Sequence, residues 1–272
     1  LVGTSTSNRD HFYIVDAKTL YYENSAVVGA NLSGLTILNE QYGLVTGDGI
    51  RRIDLKSLNN VRIKNERLLC FYNSIIYNGK VLSNDTYKDE SKVKYYDVNE
   101  LIAAKEGEAP AVTELDIIQK QKINFVLAKD GNVYTLESAD NGCNIVKIKN
   151  DFTLEKVFAN FQPAKGPYHS SPTIGMVASE TENIIYLVST DGAIYKYILG
   201  DSDSLKAPFI AAESGVSITA PLQLNQQSGE LYVTYTEERK DESKIVVYSK
   251  DGKVLHTVDC GESVPSQILF NN

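Results

Sequence analysis

Histidine is the usual proton carrier of active sites, and this chain has three: His11, His169 and His256. One of them keeps notable company. The stretch NFQPAKGPYHSSP (160–172) places three prolines around the pair Tyr168–His169. Tyrosine offers a ring to stack on, imidazole offers a donor and an acceptor, and proline fixes the backbone that carries them. Other short polar loops hold Ser33 (NLSG), Glu66 and Arg67 (NERL), Lys120 and Lys122 (QKQK), Thr219 (SITAP) and Glu262 (GESVP). A nucleophilic hydrolase needs Ser or Cys with a base and an orienting acid. No GxSxG or HExxH phrase supplies them. The expectation is a ligand-binding set of Tyr168, His169, Arg67, Lys122 and Glu262, with no catalytic residue. The packing alternative is that Tyr168 lies on Pro167 and His169 caps a backbone group.

Metal chemistry has less to work with. Cys70, Cys143 and Cys260 are widely spaced and form no CxxC, so they read as small buried hydrophobes. Asp201 and Asp203 in LGDSDSL, and the run SNDTYKDES (83–91), are rich in oxygen but lack the spacing of a calcium loop. They read as solvated turns. No metal and no cofactor are expected.

The elements that must position these loops are strands. Most apolar segments are short, rich in Val, Ile, Leu, Tyr and Phe, and punctuated by Gly, Asn and Asp. Six of them share a phrase, an Asp followed within four residues by a strand: Asp10, Asp48, Asp89, Asp140, Asp191 and Asp241, roughly 40 to 50 residues apart. Two copies are nearly identical, KDESKVKYYD (88–97) and KDESKIVVYS (240–249). A hairpin precedes these strands, as in ILNEQYGLVTG (37–47), INFVLAKDGNVYTLES (123–138), GMVASETENIIYLVST (175–190) and LQLNQQSGELYVTY (222–235). One more short strand follows each, such as VRIK (61–64), AVTEL (111–115), LEKVF (154–158) and VLHTV (254–258). YYDVNELIAAKEGEAP (95–110) predicts a turn or two of helix before Pro110.

Four strands per repeat around a ring is β-propeller grammar. The fold expected is all-β: a single domain, 1–272, of six four-stranded antiparallel blades at about 1–30, 33–65, 67–116, 122–160, 169–213 and 217–262. The first repeat lacks an opening strand, and VPSQILFNN (264–272) stands at the other terminus to supply it, closing the ring without an exposed edge. Seven blades, or two stacked β-sandwiches, are the alternatives. In a propeller the loops entering each innermost strand share one face with the loops between second and third strands. The candidate residues lie in the first kind and the Asp series in the second, where turn chemistry accounts for Asp-Gly at 48–49 and 191–192.

Charge narrows the partners. A net charge of −8 with no Lys/Arg cluster disfavours nucleic acid, and no apolar run approaches 18 residues, so no membrane span is expected. The chain holds 17 tyrosines and no tryptophan; the tyrosines serve either to pack blades or to stack on sugars. It begins at Leu1, and its one methionine is Met176, as in a processed or trimmed protein.

The second half carries a resemblance. SSPTIG…NIIYLVSTDGAIYKYI (170–198) and TAPLQLNQQSGELYVTY…KIVVYSKDGKVLHTVDCGESVP (219–265) resemble repeats of quinoprotein-like propellers, strongest over 170–270. They are most similar to the YncE-like branch of the bacterial cell envelope, which includes the BtuG-type corrinoid-capturing surface lipoproteins. That family usually has seven blades, and its dehydrogenases dock a quinone with tryptophan motifs that this chain lacks. The resemblance implies an exported protein of the bacterial surface or periplasm, with room for a lipid anchor upstream of Leu1, and it transfers no catalytic residue. The expected function is non-enzymatic binding of a small molecule, glycan or partner protein through the loop face. A lyase or hydrolase at the channel mouth is the enzymatic alternative, and a protein–protein docking platform the structural one.

Overall fold

Runs of β-branched and aromatic residues, closed by turns rich in Asp, Asn and Gly, favour short antiparallel strands joined by tight hairpins. The computed structural model describes residues 2–6, 9–15, 18–19, 21–29, 34–46, 49–64, 74–84, 91–108, 110–119, 125–164, 175–237 and 242–263, and the structural statements below concern these. The chain divides into two compact units, Leu1–Lys120 and Gln121–Asn272.

The first unit holds three antiparallel meanders in chain order. The first has three strands, β1 (Val2–Thr6), β2 (Arg9–Val15) and β3 (Tyr22–Gly29), as the missing opening strand requires. The second is β4 (Gly34–Ile37), β5 (Tyr42–Thr46), β6 (Ile50–Asp54) and β7 (Asn60–Lys64), and the third is β8 (Ile75–Tyr77), β9 (Lys80–Asn84), β10 (Ser91–Asp97) and β11 (Val112–Gln119). Between β10 and β11 lies the expected short helix, α1 (Val98–Ala103). Asp97 caps it by accepting from the amides of Asn99 and Glu100 at 2.8 and 3.1 Å. At the other end the Arg52 guanidinium donates to the carbonyls of Ile102 and Ala104, the latter at 3.1 Å, satisfying groups the helix leaves open. Leu44, Ile50 and Ile63 of the second sheet pack with Val81 and Tyr96 of the third and Leu101 of α1.

The second unit repeats the pattern. Its sheets are β12 (Val126–Leu127), β13 (Val133–Ala139), β14 (Gly142–Ile148), β15 (Leu154–Phe161); then β16 (Met176–Ala178), β17 (Ile184–Val188), β18 (Ile194–Ile198); then β19 (Val216–Ile218), β20 (Gln223–Leu224), β21 (Leu231–Glu237), β22 (Ser243–Tyr248), β23 (Val254–Gly261). Burial follows from the two-residue period of a strand. On β17, Ile184, Tyr186 and Val188 join a core with Leu231, Val233 and Tyr235 of the next sheet, while Ile185 and Leu187 join Leu136 and Ile145 of the preceding one. A strand covered on both faces is apolar throughout, which is why it reads IIYLV. Tyr134, Tyr186 and Tyr197 are nearly inaccessible, filling space that tryptophan fills elsewhere.

Two departures from the strand grammar matter below. The fifth sheet has no full fourth strand among the described residues; the expected one is reduced to the bridge Ile194–Ile210. The inner edges of the fifth and sixth sheets are broken in two. β19 and β20 both pair with β21, with Thr219–Leu222 bulging between them. In the fifth sheet, Pro163 pairs with Ser189, just past the end of β17, and β16 pairs with 185–187. Pro221 explains one break, since proline donates no ladder bond. These successive antiparallel sheets, three of the six four-stranded among the described residues, make the chain all-β and are consistent with a propeller-like fold.

Candidate functional site

Of the five residues singled out for binding, Tyr168, His169, Arg67 and Lys122 lie outside the described residues, as do Ser33, Glu66 and Lys120. Glu262 is exposed just beyond β23. Thr219 sits in the break between β19 and β20, where its hydroxyl bonds Thr236 at 2.8 Å and Thr236 in turn bonds Ser243 at 2.9 Å. Of the Asp series, Asp48, Asp89 and Asp241 lie outside the described residues; Asp140 and Asp191 occupy the expected turns. Asp10 is instead inside β2, opposite Ser5 and Gly29. His11 is a strand residue of β2, and His256 is exposed on β23. Cys143 is buried as expected, whereas Cys260 is only partly covered, lying on an outer strand.

The described residues do bring together a cleft of about 300 Å³ in the second unit, between the fourth and fifth sheets. Three local features build it. The β13–β14 hairpin turns at Asp140–Asn141, and Gly142 follows with a φ of 116°. A Cβ at Gly142 would come within 2.5 Å of both the Phe161 carbonyl oxygen and the Gln162 side chain, so only glycine permits the approach. Gln162 Nε2 then donates to the Asn141 carbonyl at 2.7 Å. The link out of β15 next runs along the end of β17, with Thr190 N donating to the Gln162 carbonyl and Ala164 N to the Val188 carbonyl, both at 2.9 Å. Thus the chain entering the fifth sheet lies against the turn between its second and third strands, and residues 160–164 lead directly into the Tyr168–His169 loop.

The third feature is a bulge. Along β15 the register with β14 slips between the pairs Cys143–Phe161 and Ile145–Phe158, and Asn160 within the slip has a φ of 61°. In a regular strand Phe158 and Phe161 would point to opposite faces. The extra residue re-aims them, and both line the cleft with Tyr195. Phe161 meets Tyr195 edge-on, with centroids 5.7 Å apart at 87°. The rim is polar and exposed: Asn160, Gln162, Thr190 and Asp191.

Among the described residues that line the cleft, one is charged. The Ser189 hydroxyl and the Ala193 amide, the latter at 3.1 Å, both serve Asp191 Oδ1 and hold its carboxyl below the usual range. Asp191 is therefore ionised at neutral pH, and the described lining residues include no Lys, Arg or His. The nearby Cys143 thiol is pushed up to about 11 by burial, with a further contribution from Glu137, so it stays protonated and unreactive. Ser189 donates to a carboxylate whose lowered pKa makes it a weak base, and the described lining residues include no imidazole or amine to activate it as a nucleophile. Among the described residues no cluster of three or more His, Cys, Asp or Glu could hold a metal, and no helix is long and apolar enough to cross a membrane. The arrangement is suited to holding a ligand: an aromatic floor, a hydrogen-bonding rim, and one fixed negative charge.

Sequence reasoning reached this region through its loop but missed Phe158, Asn160, Phe161 and Tyr195. FANF (158–161) gives no strand-period signal that its two rings share a side, because the bulge that unites them depends on tertiary pairing.

The chain was compared with known proteins. No curated protein matches it. A crystal structure of a functionally unknown protein from Desulfotomaculum acetoxidans matches over 97% of this chain and 86% of its own, at 11% identity and a TM-score of 0.56. A structure from a study of two prolyl endopeptidases matches over 95% of this chain at 11% identity and a TM-score of 0.55, and this chain spans only 40% of it. A virginiamycin B lyase from Staphylococcus aureus covers 94% of this chain and is itself covered over 82%, at 12% identity and a TM-score of 0.49. At these identities the first two likenesses concern the fold alone. The profile of one family, described as a domain of unknown function (DUF5074), matches residues 4–271, and the chain belongs to that family.

Proposed function

We propose that this chain is a non-enzymatic binding module: a six-bladed propeller of the bacterial envelope, YncE-like, that takes a small molecule, glycan or partner protein on its loop face. Each of the six sheets is one blade, and 264–272 supplies the strand missing from the first. The observation that carries the binding reading is the cleft at Phe158, Tyr195 and Asp191, which lies where the chain leaves for the Tyr168–His169 loop. A concave site with an apolar floor and a few convergent polar groups is the usual form of a small-ligand site. The exposed rim, and the lack of an imidazole or amine base beside Ser189 among the described lining residues, favour binding over catalysis.

A ligand that binds only the folded state raises the melting temperature. A thermal-shift screen of the full chain against divalent metals, corrinoids, and mono- and oligosaccharides tests the reading. The expected result is a shift with at least one compound that is lost in Tyr168→Ala, His169→Ala or Asp191→Asn. A shift that survives all three substitutions would move the site elsewhere, and no shift across the panel would overturn small-molecule binding.

A further inference from the structure

We infer that the cleft between the fourth and fifth sheets takes a neutral saccharide, an inference that rests on the binding role proposed above and specifies its ligand. Phe158 and Tyr195 are half-buried, so part of each ring is left for a ligand, and Phe161 braces Tyr195 edge-on. The face of an aromatic ring is its negative side, and it attracts the weakly positive C–H hydrogens that cover one face of a pyranose. Around this floor stand Asn160, Thr190 and the Tyr195 hydroxyl, each able both to donate and to accept. A ligand that only donates, such as an ammonium ion, would leave the amide N–H groups of the rim unmet. A ligand that only accepts, such as a phosphate, would meet the ionised Asp191 with no cation among the described lining residues to offset it. Vicinal hydroxyls donate and accept together, and they match the whole rim.

Asp191 has a defined part. Its Oδ1 is engaged by Ser189 and Ala193, so the carboxylate is already oriented before any ligand arrives, and its other oxygen is the natural acceptor for a sugar hydroxyl. Asn160 is held in left-handed backbone by the bulge, so the point from which its amide projects is also set in advance. Groups fixed before binding lose little entropy on binding. A volume of about 300 Å³ is at the small end for ligand sites and fits one or two sugar rings rather than a long chain.

Isothermal titration of the full chain with maltose, cellobiose, lactose and chitobiose tests this, with choline, L-arginine and inorganic phosphate as charged probes. Three variants change one group each: Asn160→Gly, which keeps the left-handed backbone and removes the amide; Tyr195→Phe, which keeps the ring and removes the hydroxyl; and Asp191→Asn. Melting temperatures establish that each variant is folded. The expected result is that at least one disaccharide binds and that Asn160→Gly and Asp191→Asn each weaken it at least fivefold. Disaccharide binding unchanged in all three variants would overturn the assignment of the cleft. Binding of choline or L-arginine alone, lost in Asp191→Asn, would overturn the saccharide while leaving the binding role intact. Binding of phosphate alone would contradict the charge argument. Failure of every probe in this and the thermal-shift panel would overturn both.

Discussion

Gly142 sits where the tip of the β13–β14 hairpin meets the chain leaving β15, and the contact leaves no room for a side chain. Its φ of 116° is also one that L-residues avoid. Gly142→Ala must therefore strain the turn or push residues 161–162 away, and the expected cost is about 1–3 kcal/mol. Urea unfolding of wild type and variant measures it; equal midpoints would mean that the approach is looser than described. Asp130 is a second residue whose setting makes a prediction. Burial pushes its carboxyl up, but bonds from Lys147, Asn132 and Tyr134 outweigh burial and hold it below the ordinary value. Lys147 Nζ lies at 2.8 Å and the Tyr134 hydroxyl at 2.9 Å. A carboxyl lowered by folding contributes stability that is fully present above its unfolded pKa, about 4, and is lost as pH falls through the folded value. The stability lost by wild type between about pH 5 and pH 3 should thus be partly abolished in Asp130→Asn. Parallel pH profiles of unfolding for the two proteins would contradict this.

At the scale of elements, β17 is the strand on which the second unit depends, because its alternate residues enter two different cores. Leu187 is almost wholly buried among Leu136, Ile145 and Met176. Leu187→Ala removes packing that cannot easily collapse and is expected to cost about 2–5 kcal/mol, whereas truncating the exposed Val258 on β23 should change little. Denaturant unfolding of both variants checks the contrast. The same strands show how far the sequence could be read. The repeated Asp-plus-strand phrase located one strand in each sheet, β2, β6, β10, β14, β18 and β22, and the stretch 95–110 located the helix, because period and turn residues are local signals. Features set by tertiary pairing were not legible. Nothing local marks Ile210 as a one-residue remnant of a strand, 162–164 as part of the fifth sheet's edge, or Phe158 and Phe161 as neighbours. The stretch 160–172, whose first residues line the cleft, was singled out by its prolines and its Tyr–His pair, but the aromatic floor beside it was not.

At the scale of the whole molecule, a three-stranded first sheet and a strand-like C-terminal segment belong together in the proposed ring. If 264–272 completes that sheet, truncation after Ser263 opens a long edge and unpairs the closure. The expected outcome is a clearly lowered melting temperature and increased self-association by light scattering. A truncated chain as stable and monodisperse as the full one would mean that the first sheet stands without it. The central claim, however, is that this member of the DUF5074 family is a binding protein whose ligand sits between its fourth and fifth sheets. Hydrogen exchange of the full chain, with and without the disaccharide that binds it most tightly, addresses this directly. The prediction is added amide protection confined to residues 158–164 and 189–195; protection centred on any other sheet, or none at saturation, would contradict it.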